Sequence, residues 1–321
     1  DHHCENIDLK GATVIPGFVD AHFHLVNLGK QQDALQLKGC TSASEIAGLV
    51  HDKSRNLEET DWIFGYSWDH SRWYENKFPK ENVLNELRLK QPVMLTRIDG
   101  HCCWVNNVAM EMAGLNIEAD HPDGGKIINN CILLDNAMTP VKQLIPKPNA
   151  AMIEKWIKLA LEIIIKRGIT NVHDAWQEPM TIDVIKNLEE KNELPIRIYG
   201  MLGSRYHKLL DTFFKDGIYR SNRYTIRSVK AFIDGALGSR GAALLTPYSD
   251  DANNCGLILI SHEKFKDLAE RCREAGFQLC THAIGDRGNQ RVLDVYTDTI
   301  KDVKNHRWRI EHAQMVCDAD I

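Results

Sequence analysis

The chain has 321 residues, 39 Lys+Arg against 44 Asp+Glu, a formal net charge of −5, and 43% hydrophobic and 26% charged residues. This ordinary globular composition excludes disordered, collagen-like and disulfide-knot classes, and no apolar run reaches the ~18–20 residues needed to cross a bilayer. The slight acidity gives no electrostatic reason to expect nucleic acid or an anionic membrane as a partner.

The first strand signal is Ala12-Thr13-Val14-Ile15, followed after Pro16-Gly17 by Phe18-Val19-Asp20-Ala21-His22-Phe23-His24. Short apolar runs bounded by Gly and Pro read as buried strands. Residues 25–150 show no regular strand–helix rhythm. Helices are predicted there at 42–56 and 81–90, one strand at 92–97, and loops rich in Pro, Gly, Asn and Asp at 116–130. A helix over about 149–167 carries Ile153, Trp156, Ile157, Ala160, Leu161 and Ile164 at helical spacing and ends in the C-cap signal Lys166-Arg167-Gly168. Strands then follow at 169–174, 196–200, 226–234, 277–282 and 308–312, separated by helical segments. Repetition at ~30–45 residues argues for parallel βα units. With the first strand this makes six, two short of an eight-fold barrel, when the chain stops at Ile321.

The nine cysteines are scattered and form no C-x-x-C pair. Zinc ribbons and thioredoxin-like motifs are therefore unsupported, and free thiols in a cytoplasmic, reducing setting are expected. No signal-peptide apolar region is visible, and the start at Asp1-His2-His3-Cys4 without Met reads as a missing N-terminal part. Cys102-Cys103 beside His101 lacks an evident orienting third group for nucleophilic catalysis.

Polar residues at strand C-termini carry the chemistry, because catalytic groups collect at that edge of α/β sheets and barrels. His22 and His24 are two apart, so in a strand they face the same side. Lys230 and Asp234 lie on the fourth strand, His282 ends the fifth and His312 the sixth. Each histidine alone is most simply a hydrogen-bonded residue at a sheet end. Four converging with a lysine between them would make a poor structural core and a good divalent-metal site.

The string Val14-Ile15-Pro16-Gly17-Phe18-Val19-Asp20-Ala21-His22-Phe23-His24 resembles the first-strand signature of the amidohydrolase superfamily. Arg97-Ile98-Asp99-Gly100-His101 leading to Trp104-Val105-Asn106, the run from Val229 to Arg240, Thr281-His282-Ala283-Ile284-Gly285-Asp286-Arg287 and Arg309-Ile310-Glu311-His312-Ala313-Gln314 narrow it to the amidohydrolase-3 branch, the group resembling N-substituted formamide deformylase. The resemblance implies a (β/α)8 TIM-barrel metal-dependent hydrolase. Its first barrel strand would lie in 1–24, an insertion covering the barrel mouth in 25–150, and barrel units two to six in 151–321. Strands seven and eight, the flanking β-sandwich and the family's terminal catalytic Asp would be absent, so that the chain is expected to be truncated at both ends.

By the same resemblance His22 and His24 hold one metal and His282 and His312 a second, with Lys230 at the bridging position, either carboxylated, or an unmodified lysine near a single metal, or one paired with Asp234. The cofactor is expected to be one or two Zn2+, and Lys230 and His282 the catalytic residues. Asp99, His101, Trp104, Arg240 and Trp68 are the candidates for substrate contact, with the two tryptophans alternatively forming core. His173-Asp174 reads as an orienting pair behind the ligands. The expected function is hydrolysis of carbon–nitrogen bonds in amides, cyclic amides or N-formyl compounds by a metal-activated water. The alternative is a non-catalytic ligand-binding or regulatory relative. The expected partner is a small-molecule substrate, and a homodimer is the assembly kept in view.

Overall fold

The computed structural model describes residues 7–79, 82–100, 102–115, 125–237, 240–301 and 303–321. The chain divides into two compact units, one formed by the residues up to Leu25 with Leu161–Ile321 and the other by Val26–Ala160.

The first unit is built on six parallel strands: β1 (Phe18–Phe23), β2 (Ile169–Gln177), β3 (Arg197–Gly203), β4 (Tyr224–Phe232), β5 (Gln278–Ala283) and β6 (Arg309–His312). Each pairs with the next in chain order, and the two-residue strand Tyr219–Arg220 adds antiparallel to β4. Helices α1 (Pro179–Glu190), α2 (His207–Asp216), α3 (His262–Glu274) and α4 (Asp286–Ile300) follow β2, β3, β4 and β5. In α3 the buried residues Phe265, Leu268, Ala269 and Cys272 repeat at helical spacing, and the Ser261 side chain caps the first turn by accepting from Lys264 N. Strands added one after another, with helices between, give the topology of a βα barrel. The two edge strands come together through their side chains. His22 Nδ1 is hydrogen-bonded to the Glu311 carboxylate, and Arg309 Nη1 donates to Ala21 O at 3.5 Å. The fold is TIM-like α/β.

The second unit holds a mixed sheet in the order Leu35–Gln36, Ile63–Trp68, Val93–Arg97, Cys102–Val105, Ile132–Asp135, Gly125–Ile128, parallel across its first three strands and antiparallel across the rest. The predicted strand and the first predicted helix are present, the helix as Ala43–Ser54 with Ser42 as its cap. The second predicted helix shrinks to Val83–Glu86. Part of the predicted loop is a hairpin instead: Ile128 and Ile132 pair across Asn129, Asn130 and Cys131, with Cys131 N donating to Ile128 O at 3.2 Å and the φ values of +48° at Asn129 and +58° at Asn130 being those of a type I′ turn. The helix Ala150–Lys166 matches expectation, and Gly168 follows it at φ +74° in the left-handed cap conformation. Among the described residues no helix is long and apolar enough to cross a membrane.

Candidate metal centre

Parallel strands send all their C-terminal ends to one edge, so residues far apart in sequence meet there. His22 and His24 arrive from the end of β1, Lys230 from β4, His282 from β5 and His312 from β6. The four rings form a row: His24 lies 5.3 Å from His22, His22 4.7 Å from His312, and His312 4.7 Å from His282, centre to centre. Lys230 is fully buried beside them, its Nζ 4.1 Å from the centre of the Phe232 ring and without a hydrogen-bond partner among the described residues.

Two residues that the sequence reading left without a role complete the cluster. On β6, Arg309 and Glu311 share a face by the two-residue strand period. Glu311 is buried, bonds His22, and has Arg309 Nη2 2.7 Å from its Oε1, while Arg309 Nη1 lies 3.0 Å from His173 Nδ1. The same period would send His312 to the opposite face. It stays with the cluster where its backbone leaves the strand, with φ +79° at His312 and +41° at Ala313. Trp176, at φ +153°, is a third residue in a sparsely populated backbone region, and its ring lies 5.4 Å from that of Phe232. Such conformations cost about 1–3 kcal/mol each and concentrate at functional sites.

Charge in the cluster follows from burial. Burial first, then the neighbouring His22 and Lys230, pull the His24 imidazole down to about 4 against the opposing pull of Glu311. Burial, then His282, His22 and Lys230, bring His312 to about 4. His282 is lowered chiefly by burial. These three rings are therefore neutral at neutral pH, with lone pairs available. Burial also lowers the Lys230 ammonium to about 8, opposed by Glu311. Burial works to raise the Glu311 carboxyl, but the His22 hydrogen bond and Arg309 outweigh it and hold that group below its ordinary value.

Asp234 does not pair with Lys230. Its Oδ1 accepts from Ile284 N at 3.0 Å and its Oδ2 from Ala243 N at 3.0 Å and Gly285 N at 2.8 Å, which ties the loops after β4 and β5 together. Gly288 suits this arrangement, since a Cβ there would stand 2.7 Å from Asp234 Oδ2. Asp174, fully buried, accepts from Leu25 N and Gln177 Nε2, both at 2.9 Å, and so fixes the chain just after His24. His173 and Asp174 thus act on different partners, on opposite faces of β2.

The substrate candidates scatter. Trp68 and Trp104 are core: both are fully buried, their rings 6.1 Å apart, with indole N–H groups donated to Leu95 O at 2.8 Å and Asn82 Oδ1 at 3.1 Å. Asp99 is exposed and bonded to Arg97. Arg240 is exposed and gripped by Asp250, with Nε–Oδ1 at 3.1 Å and Nη2–Oδ2 at 2.7 Å. His101 lies outside the described residues. Burial raises the Cys103 thiol strongly, which removes it as a nucleophile. A cavity of about 530 Å³ shares Phe232 with the cluster and includes Ser204, Arg205, His207 and Lys264 in its lining.

Among the described residues no three His, Cys, Asp or Glu side chains form a ready-made ion cage. The donor chemistry nevertheless suits a divalent ion. Imidazoles held neutral sit next to one another, and the buried Lys230 Nζ has no hydrogen-bond partner among the described residues. A TIM-like sheet with a histidine-rich C-terminal edge is the arrangement of barrel hydrolases that use metal ions. The amidohydrolase family model (Amidohydro_3) matches residues 5–321, and the chain belongs to that family. It is 29% identical over 328 residues to Protein LONG AFTER FAR-RED 3 of Arabidopsis thaliana, covering 96% of this chain and 56% of that one. It is 29% identical over 327 residues to the putative amidohydrolase YtcJ of Bacillus subtilis (strain 168), covering 97% and 60%. The crystal structure of an uncharacterized metal-dependent hydrolase from Pyrococcus horikoshii OT3 superposes with a TM-score of 0.75 at 27% identity, over 95% of this chain and 59% of that one. The chain thus spans 56–60% of the length of these proteins.

Proposed function

We propose that the chain carries the metal-binding edge of a hydrolase acting on carbon–nitrogen bonds in amides, cyclic amides or N-formyl compounds. The observation that carries this reading is the row of four imidazoles beside a fully buried lysine whose Nζ has no hydrogen-bond partner among the described residues. His22, His24, His282 and His312 would hold one or two divalent ions, zinc by ligand preference, with Lys230 between them. When bound, such an ion supplies Lewis acidity and lowers the pKa of a water toward neutrality.

The chain's own residues do the rest. Glu311 takes the Nδ1 side of His22 and fixes that ring, leaving Nε2 for the centre. Arg309 holds Glu311 and touches His173, so β6, β1 and β2 are braced by one polar chain. Lys230, lowered to about 8, presents an appreciable neutral fraction near neutral pH. That neutral amine can form an N–C bond to carbon dioxide and release one proton, turning a buried cation into an anionic oxygen donor. Phe232 and Trp176 wall the site, and the cavity bearing Arg205 and Lys264 suits the remainder of a polar substrate.

The test is metal analysis and hydrolysis by the purified natural full-length protein. Near-stoichiometric divalent metal is expected, together with chelator-sensitive turnover of a formamide or cyclic amide and not of a phosphate ester. His24→Ala should lower metal occupancy more than about tenfold at fixed free zinc. Hydrolysis indifferent to chelators, or sub-stoichiometric metal after zinc supplementation, would sink the reading. Bound metal with no turnover across the panel would favour the non-catalytic alternative.

A further inference from the structure

The Val26–Ala160 unit holds a cavity of its own, about 320 Å³, which is within the size range of small-molecule sites. One wall is aromatic. Trp62 comes just before the strand Ile63–Trp68 and Phe64 lies on it, with their ring centres 6.0 Å apart and planes within 9° of parallel. Trp156 adds a third ring, and Ile145, Pro146 and Met152 extend the apolar surface.

The charges in this cavity do not balance. Three lysines and two aspartates line it. Asp33 takes most of the contacts: Lys155 Nζ lies 2.6 Å from its Oδ1, Trp156 Nε1 donates to its Oδ2 at 3.1 Å, and Lys53 Nζ reaches its backbone oxygen at 2.9 Å. Asp61 is turned to its own loop, accepting from Glu58 N at 3.0 Å. Lys30 has no carboxylate within ion-pairing reach among the described residues. Its Nζ instead stands 5.8 Å from the centre of the Phe64 ring and 5.9 Å from that of Trp156. Burial lowers this ammonium from its ordinary value, as expected of a cation without a counter-ion. Cation–π contacts of this length are worth only about 0.5–1 kcal/mol at partly exposed sites, less than a carboxylate would supply.

We infer that this cavity is a binding site for a small planar aromatic monocarboxylate, whose ring lies along Trp62 and Phe64 and whose carboxylate meets Lys30. One net positive charge over an aromatic floor selects that combination. A neutral ring leaves Lys30 without a partner, and a dianion exceeds the available charge. The site is independent of the histidine cluster, which contributes none of its lining.

The test is calorimetric titration of the purified protein with 2-naphthoate and its neutral analogue 2-naphthamide. Naphthoate should bind saturably, one per chain, and naphthamide at least about tenfold more weakly. Lys30→Met, which keeps the apolar stem, should bring the two ligands to similar affinity, and Trp62→Ala should weaken both. Raising salt from ~0.05 to ~0.5 M should weaken naphthoate alone, which holds even if the Lys30 variant folds poorly. The inference is overturned by the absence of saturable heat, by equal affinity for the two ligands in the unaltered protein, or by loss of naphthoate binding in His24→Ala. The last result would move the ligand to the histidine cluster.

Discussion

In the mixed sheet, Trp68 and Trp104 are fully buried and each indole N–H has an acceptor. In the parallel sheet, Lys230 is buried as completely and its Nζ has no partner among the described residues. Both sheets exclude water from large side chains, but of these three only Lys230 is left without a hydrogen-bond partner among the described residues. An uncompensated buried cation destabilises a fold, so its presence at a sheet edge rich in neutral imidazoles is the observation on which the proposed metal site rests. Satisfied burial, by contrast, marks structure.

The largest effect that sharpens this contrast is expected in the mixed sheet. Trp104→Ala removes a fully buried ring packed 6.3 Å from Trp73 and strands Asn82 Oδ1, so unfolding free energy should fall by about 3–5 kcal/mol in denaturant titration. A loss below about 1 kcal/mol would mean that the aromatic cluster is not the core of its unit.

A smaller effect belongs to Asp174, whose carboxyl burial pushes up to about 6 although Leu25 N and Gln177 Nε2 donate to it. A raised folded-state value means that the native form holds its proton longer than the unfolded chain does. The contribution is therefore fully present below about 4, the unfolded value, and is lost as pH rises through about 6. Between those limits the unaltered protein should lose on the order of 2–3 kcal/mol relative to Asp174→Asn, read as the difference of two stability–pH curves. Parallel curves would break the assignment.

The smallest effect concerns Arg240, exposed and paired with Asp250. Arg240→Ala should leave the thermal midpoint and the KM for any hydrolysed amide unchanged, because exposed ion pairs contribute little. A tenfold rise in KM would return this residue to the site.

The parallel strands were legible because buried strands are short β-branched runs stopped by Gly or polar residues. The predicted 196–200, 277–282 and 308–312 lie within a few residues of Arg197–Gly203, Gln278–Ala283 and Arg309–His312. The mixed sheet was mostly illegible. Ile63–Trp68 is interrupted by Gly65, Cys102–Val105 is only four residues long, and the Asn129-Asn130 turn looks like one more piece of a polar loop. At the site, the spacing of His22 and His24 announced itself through the two-residue period. Glu311 and Arg309 did not, because nothing along β6 says that its partner across the gap is β1. Alternation would even have turned His312 away, and only its left-handed backbone keeps it among the other rings.

Asp234 gathers amide protons from Ala243, Ile284 and Gly285, three points on two separate loops. Those loops cannot fray one at a time. Releasing any of the three leaves a sequestered anion under-solvated, so this part of the rim opens as one latch or stays shut.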